Sequence, residues 1–180
     1  WDAQGHGSYR LWSLRQLDKE SDRLAAGLVR MGVRPGTRLV LFVRLSWEFV
    51  TLTFGILKAG GVVVLIDPGM GRTNIFECLR EVQPDGFVAI PLVQAVRLWK
   101  RRLFPQAKLN VTVGRRWFWG GRTYRQLLSG VPDPEAAAAS LPVVQPGDPA
   151  AIIFTSGSTG PPKGVLYEHG MFQAQVDMIR

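Results

Sequence analysis

Five strand-sized apolar runs set the limits on what this chain can fold into: RLVLFV (38–43), VVVLI (62–66), GFVAI (86–90), LNVTV (109–113) and AAIIF (150–154). Most are nearly continuous rather than alternating, the pattern of strands buried on both faces. Between them lie helix-length segments. Ser13 to Gln16 (SLRQ) forms a capping box, and Leu14, Leu17, Ser21, Leu24, Ala25, Leu28 and Met31 then repeat at helical spacing up to Gly32. Ser46 caps a second helix through WEFVTLTFGILKAG, residues 72–82 and 92–102 read as two more, and Thr123 to Leu128 as a short one. Strands that alternate with helices in this way predict an α/β fold: a parallel sheet with right-handed crossovers, flanked by helices. The stretch 129–149, rich in Pro, Ala and Gly, reads as a surface connection within one domain.

After the last of these runs the chain enters FTSGSTGPPKG, residues 154–164. Four hydroxyls and two glycines within Thr155–Gly160 suit neither a helix nor a strand interior. They suit an anion cradle, in which glycine lets backbone N–H groups converge on phosphate oxygens and hydroxyls add donors. Pro161 and Pro162 stiffen the exit, and Lys163 supplies a full positive charge. The run is not a Walker loop, G-x-x-x-x-G-K-[ST], because two prolines separate Gly160 from Lys163 and a glycine follows the lysine. The plain alternative is a Ser/Gly/Pro linker that binds nothing. A linker would not normally sit between two apolar strand runs with a lysine at its exit.

These residues resemble the signature loop of the adenylate-forming superfamily, [YF]TSG[ST]TG-x-PKG, without a departure. That superfamily contains acyl-CoA synthetases, luciferases and nonribosomal peptide adenylation domains. LWSLRQLDKESDRLAAGLVRMGVRPGTRLVLFV is similar to its opening helix and strand. LKAGGVVVLIDP is similar to its second block, with Leu65 and Ile66 where a proline and a leucine are commoner. LIDPGMG, VTVGRRWFWGG and IIFTSGSTGPPKGVLYEHGMFQAQVDMI further resemble the branch of bacterial long-chain olefin biosynthesis that closes β-hydroxy acids to β-lactones.

The resemblance implies the N-terminal part of the large domain of an adenylate-forming enzyme, with residues 1–180 a partial AMP-binding domain and its C-terminal part absent. It implies attack of a carboxylate on the α-phosphate of ATP, with Mg²⁺ and the loop stabilising the departing pyrophosphate. Thr155, Ser156, Ser158 and Thr159, with the backbone of Gly157 and Gly160, would wrap the β- and γ-phosphates. Lys163 is the candidate catalytic charge. His169 is a candidate for orienting the acyl substrate, with a core or capping role as the alternative. The family's adenine pocket, metal-binding glutamate, ribose-binding aspartate and C-terminal lysine all lie downstream of the loop, so no metal ligand is assigned here. The expected substrates are ATP and a long-chain β-hydroxy acid or fatty acid. A fatty-acyl-CoA synthetase or acyl-AMP ligase is the nearest alternative activity.

Composition narrows the remaining classes. A chain that opens at Trp1 and stops at Arg180 inside a helical pattern reads as an excerpt of a longer protein. No apolar run approaches the roughly 18–20 residues of a membrane helix. A lone Cys78 makes no intrachain disulfide, which suits a reducing, cytoplasmic setting, and with only His6 and His169 a structural zinc site is not expected. The net charge of +8 is concentrated in VRLWKRRLFPQAKLNVTVGRRWFWGGRTYRQ, where Trp99, Trp117 and Trp119 are interleaved with Arg and Lys. Such a stretch suits nucleic acid or an anionic surface. The plainer expectation is a solvated helix face and a half-buried strand whose tryptophans fill the core. A nucleic-acid-binding module lacks a reading helix here, so no nucleic-acid partner is expected. Docking of an acidic partner enzyme of the same pathway on residues 97–125 would coexist with the enzyme reading.

Overall fold

A computed structural model describes residues 11–131, 133–155 and 162–179. Seven strands form one sheet in the order β5-β4-β3-β1-β2-β6-β7. They are β1 (Arg38–Phe42), β2 (Val62–Ile66), β3 (Gly86–Ala89), β4 (Leu109–Thr112), β5 (Arg122–Thr123), β6 (Pro149–Thr155) and β7 (Lys163–Glu168). The first six run parallel, and β7 closes the edge antiparallel to β6. This is the expected α/β sheet flanked by helices, with one antiparallel edge strand that the alternation of runs does not announce.

The near-continuous strand sequences follow from burial on both faces. Leu39 and Leu41 of β1 join Val63, Val88 and Val111 in a core cluster with Leu24 and Leu28 of α1 (Leu14–Met31) and Leu52 and Ile56 of α2 (Trp47–Lys58). The alternate positions Val40, Val64, Ile66, Phe87 and Phe154 point the other way. There they meet Cys78, Leu79 and Val82 of α3 (Arg72–Val82), together with Phe104. Period-2 alternation thus divides each strand between two cores. Burial also pushes the Cys78 thiol above its ordinary pKa.

The capping box at Ser13 and Gln16 is formed, and Ser46 accepts the Phe49 N–H at the start of α2. Leu14 nevertheless stands exposed, because the first turn of α1 precedes the part that packs on the sheet. A second capping box, Thr123 with Gln126, starts α5 (Tyr124–Ser129). α5 and α6 (Pro134–Ala139) both pack on α1. The stretch 129–149 is therefore more than a connection: α6 buries Ala137 beside Ala26 and Val131 in a small satellite core.

Two expectations need correction. The helix expected over 92–102 is α4 (Pro91–Trp99), followed by a 3₁₀ turn at Arg101–Leu103. The three tryptophans do not share a core. Trp119 is buried and donates to Thr112 Oγ1 at 3.0 Å, whereas Trp117 is exposed because residues 113–121 form a return loop rather than a strand, and Trp99 is exposed at the end of α4.

Candidate phosphate loop

The run 154–164 bridges two paired strands. Phe154 and Thr155 end β6, Lys163 and Gly164 begin β7, and Thr155 faces Lys163 in the antiparallel register, with Phe154 facing Gly164. Both Thr155 and Lys163 are exposed and Pro162 is buried. Ser156, Gly157, Ser158, Thr159 and Gly160 lie outside the described residues, as does Pro161. A strand rather than a helix follows the loop, in line with the sequence, so no helix dipole is directed at it from that side.

The loop leaves the carboxyl end of a parallel strand, the end at which open α/β sheets place their ligands. Its lateral neighbour is β2, with Ile66 beside Phe154. That pairing brings the turn after β2 next to the end of β6. There Asp67 Oδ1 accepts the Gly69 N–H at 2.8 Å, and Asn74 Nδ2 donates to the Met70 carbonyl at 2.9 Å. In the sequence these residues fall within the stretches LKAGGVVVLIDP and LIDPGMG, with no role of their own. Nothing local showed that β2 and β6, so far apart in the chain, would be neighbours.

The exit of the loop is held by close packing. A Cβ on Gly164 would come within 3.0 Å of the Phe154 ring and 3.1 Å of Ile152 Cγ2, so only glycine fits without displacing them. Beyond β7, α7 (His169–Ile179) starts with its first two N–H groups bonded to the turn that precedes β6: His169 N to Asp148 O at 3.1 Å, and Gly170 N to Pro146 O at 2.7 Å. The turn is itself closed by Asp148 Oδ2, which accepts from Gln145 N at 2.7 Å.

His169 therefore sits at the first position of α7, half-buried, and its Nε2 is fully buried without a hydrogen-bond partner. Burial pulls its pKa below the ordinary value, against the smaller opposing pull of the Asp148 charge. A neutral imidazole with an open nitrogen can accept or donate one hydrogen bond, depending on its tautomer. No group of three or more His, Cys, Asp or Glu among the described residues could hold a metal ion. The carboxylate that follows β2, Asp67, is engaged in capping its own turn.

A separate polar cluster ties α1, α2 and α5 together. Trp47 Nε1 donates to Glu20 Oε1 at 3.1 Å, the Tyr124 hydroxyl bonds to Glu20, and Thr51 Oγ1 lies 2.8 Å from that hydroxyl. Burial, then the bond to Glu20, raises the Tyr124 pKa far above its ordinary value, so the phenol stays neutral. With every member partnered, the cluster serves the scaffold and offers no reactive group.

The family profile described as "AMP-binding enzyme" matches residues 2–180. A protein named olefin beta-lactone synthetase from Xanthomonas campestris pv. campestris is 44% identical over 179 residues, which cover 99% of this chain and 32% of that protein. A protein of the same name from Stenotrophomonas maltophilia is 46% identical over 169 residues, covering 92% and 29%. The chain spans about a third of the length of these relatives. Among solved structures, the anthranilate CoA ligase AuaEII in complex with anthranoyl-AMP superposes with a TM-score of 0.80 at 23% identity, over 93% of this chain and 32% of the other. At that identity the likeness is one of fold.

Proposed function

The chain belongs to the AMP-binding enzyme family, and from that premise we propose that it supplies the phosphate loop of an ATP-dependent carboxylate-adenylating enzyme whose product closes to a β-lactone. The observation that supports the reading is that Thr155, at the carboxyl end of β6, pairs with Lys163, the first residue of β7, so both ends of the candidate loop meet there. On this reading the substrate carboxylate oxygen attacks the α-phosphorus of ATP and the bond to the bridging oxygen breaks, releasing pyrophosphate. Hydroxyls of Thr155, Ser156, Ser158 and Thr159, the N–H groups of Gly157 and Gly160, and the Lys163 ammonium stabilise the charge that develops on the leaving group. Mg²⁺ bound with the nucleotide would share the phosphate charge with these groups.

The resulting acyl-adenylate has a good leaving group. In a β-hydroxyacyl-adenylate the substrate's own hydroxyl oxygen attacks the activated carbonyl carbon, loses its proton, and expels AMP to leave a four-membered lactone. Holding hydroxyl and carbonyl in a near-attack geometry can contribute several kcal/mol, up to roughly 7–11 in well-oriented systems. Identities of 44% and 46% to proteins named olefin beta-lactone synthetase support this branch over acyl-CoA synthesis. His169, neutral and with an open nitrogen, is the described residue best suited to orient the acyl substrate.

The test gives the whole protein ATP, Mg²⁺ and a long-chain β-hydroxy acid, with and without coenzyme A. AMP and a β-lactone are expected in both cases. An acyl thioester formed only with coenzyme A would move the protein to the acyl-CoA synthetases. In the same assay Lys163→Ala and Thr159→Ala should slow pyrophosphate release about 10- to 100-fold, because a hydrogen bond to a charged group contributes roughly 1.5–3 kcal/mol. Unchanged release by both variants would remove the loop from the chemistry.

A further inference from the structure

Helix α4 is built inside out. Its buried side chain is Gln94, whose Nε2 donates to the carbonyls of Phe87 at 3.1 Å and Val111 at 2.9 Å, while its Oε1 accepts from Arg97 Nε at 2.8 Å. The apolar residues Leu92, Val96 and Trp99, at i, i+4 and i+7, are exposed, Leu92 at 71% and Trp99 at 80%. Leu103 extends the stripe by one more turn. Arg97 Nη2 fastens the helix to the Trp119 carbonyl at 3.0 Å, and Trp119 carries Trp117 stacked at 5.9 Å and Phe118 edge-on at 5.5 Å. Those two side chains are 63% and 76% exposed. A solvated helix face would carry polar residues at these positions. This one carries a tryptophan, a leucine and a valine, joined by a loop that holds two more aromatics outward.

Charge around this surface has one sign. Between Asp85 and Asp133 the sequence contains seven arginines, two lysines and no acidic residue, so the whole net charge of +8 resides in this segment and the rest of the chain is nearly neutral. Among the described residues, ion pairs within 4 Å are made by Lys58 with Asp18 and Asp22, and by none of these nine cations. Lys100 lies over the ring of Trp99, 4.5 Å from its centroid, and Arg101 and Arg102 follow directly, both exposed. An outward apolar stripe with tryptophan, flanked by unpaired cations, is the composition of a helix that lies in the interface of an anionic bilayer.

We infer that α4 and the 115–121 loop form a docking surface for an anionic lipid membrane, with Trp99, Trp117 and Phe118 entering the headgroup region and Lys100, Arg101 and Arg102 facing the lipid phosphates. The surface lies on the β4–β5 side of the sheet, at the opposite end from β6 and β7. Docking there would leave the phosphate-loop edge clear of the membrane. The inference rests on exposure and charge and stands whatever the reaction is.

The whole protein should co-sediment with vesicles of phosphatidylcholine and phosphatidylglycerol at 70:30, and much less with phosphatidylcholine alone. Each basic side chain at such a surface contributes about a fivefold change in partition, so Arg101→Ala/Arg102→Ala should weaken it roughly 25-fold. Trp99→Ala/Phe118→Ala should weaken it while leaving the melting temperature unchanged, since both residues are exposed. Arg15→Ala/Lys19→Ala, two exposed cations on α1, should leave binding within about twofold. Equal loss from both cation pairs would reduce the effect to net charge and overturn the assignment. Failure of the protein to sediment with the phosphatidylglycerol vesicles would also overturn it, and would leave an acidic protein as the partner of this patch.

Discussion

Gly164→Ala should destabilise the protein through one ring. The added methyl would lie 3.0 Å from Phe154 Cζ, 3.1 Å from its Cε1 and 3.1 Å from Ile152 Cγ2. Carbon atoms in ordinary contact sit about 3.5–4.0 Å apart, so each neighbour must yield by roughly half an ångström. Phe154 has little room to yield, because it is buried in the cluster of Val40, Val64, Ile66 and Phe87. Overpacking of this kind costs about 1–3 kcal/mol. Phe154→Leu removes both ring atoms at issue and leaves the Ile152 contact alone. Gly164→Ala should then cost at least about 1 kcal/mol less in the Phe154→Leu background than in the wild type. Urea unfolding of the four proteins, read at a common m-value, measures that coupling. Additivity within about 0.3–0.5 kcal/mol would show that the ring is not what the methyl meets, and the packing argument at the loop exit would fail.

Gly86→Ala is a harsher case: its Cβ would fall 1.7 Å from the Leu109 carbonyl oxygen of the neighbouring strand, and backbone cannot step aside as a side chain can. A loss of about 3 kcal/mol or more in urea unfolding is expected; a loss under about 1 kcal/mol would mean that β3 and β4 are not so paired. His169 should make stability fall with acid. Its folded pKa lies below the ordinary 6.5, so as the pH drops through that value the unfolded chain takes up a proton that the folded one resists. His169→Gln should flatten the stability profile between pH 8 and 5, and identical profiles for the two proteins would contradict the burial of this ring.

Much of this architecture was legible in the sequence, for reasons that name themselves residue by residue. Val62–Val64 and Leu39–Leu41 are buried on both faces, so their sequences carry no competing polar pattern. Ser13 and Thr123 announce helix starts because capping is local chemistry. What depended on tertiary placement was hidden. The two-residue β5 is too short to carry a period. Reading 92–102 as a helix could not say which face turns inward, and a buried Gln94 reverses the usual guess. Trp117 and Trp119 are equivalent as composition, yet one stands in solvent and the other reaches Thr112. The candidate loop was legible as a motif, and its paired ends became visible only with β6 and β7 side by side.

The strand order has a consequence during synthesis. β2 sits mid-sheet between β1 and β6, yet Val63 pairs with Ala151, so about 90 further residues must leave the ribosome before that side of β2 finds its partner. At roughly 5–20 residues per second, a nascent chain carries this bare edge for on the order of 5 to 20 seconds. The edge is Val62, Val63, Val64, Leu65 and Ile66, with no charge and no proline to discourage pairing with a stranger. While the chain is still growing, the segment most exposed to aggregation is therefore one that the finished molecule buries at its centre.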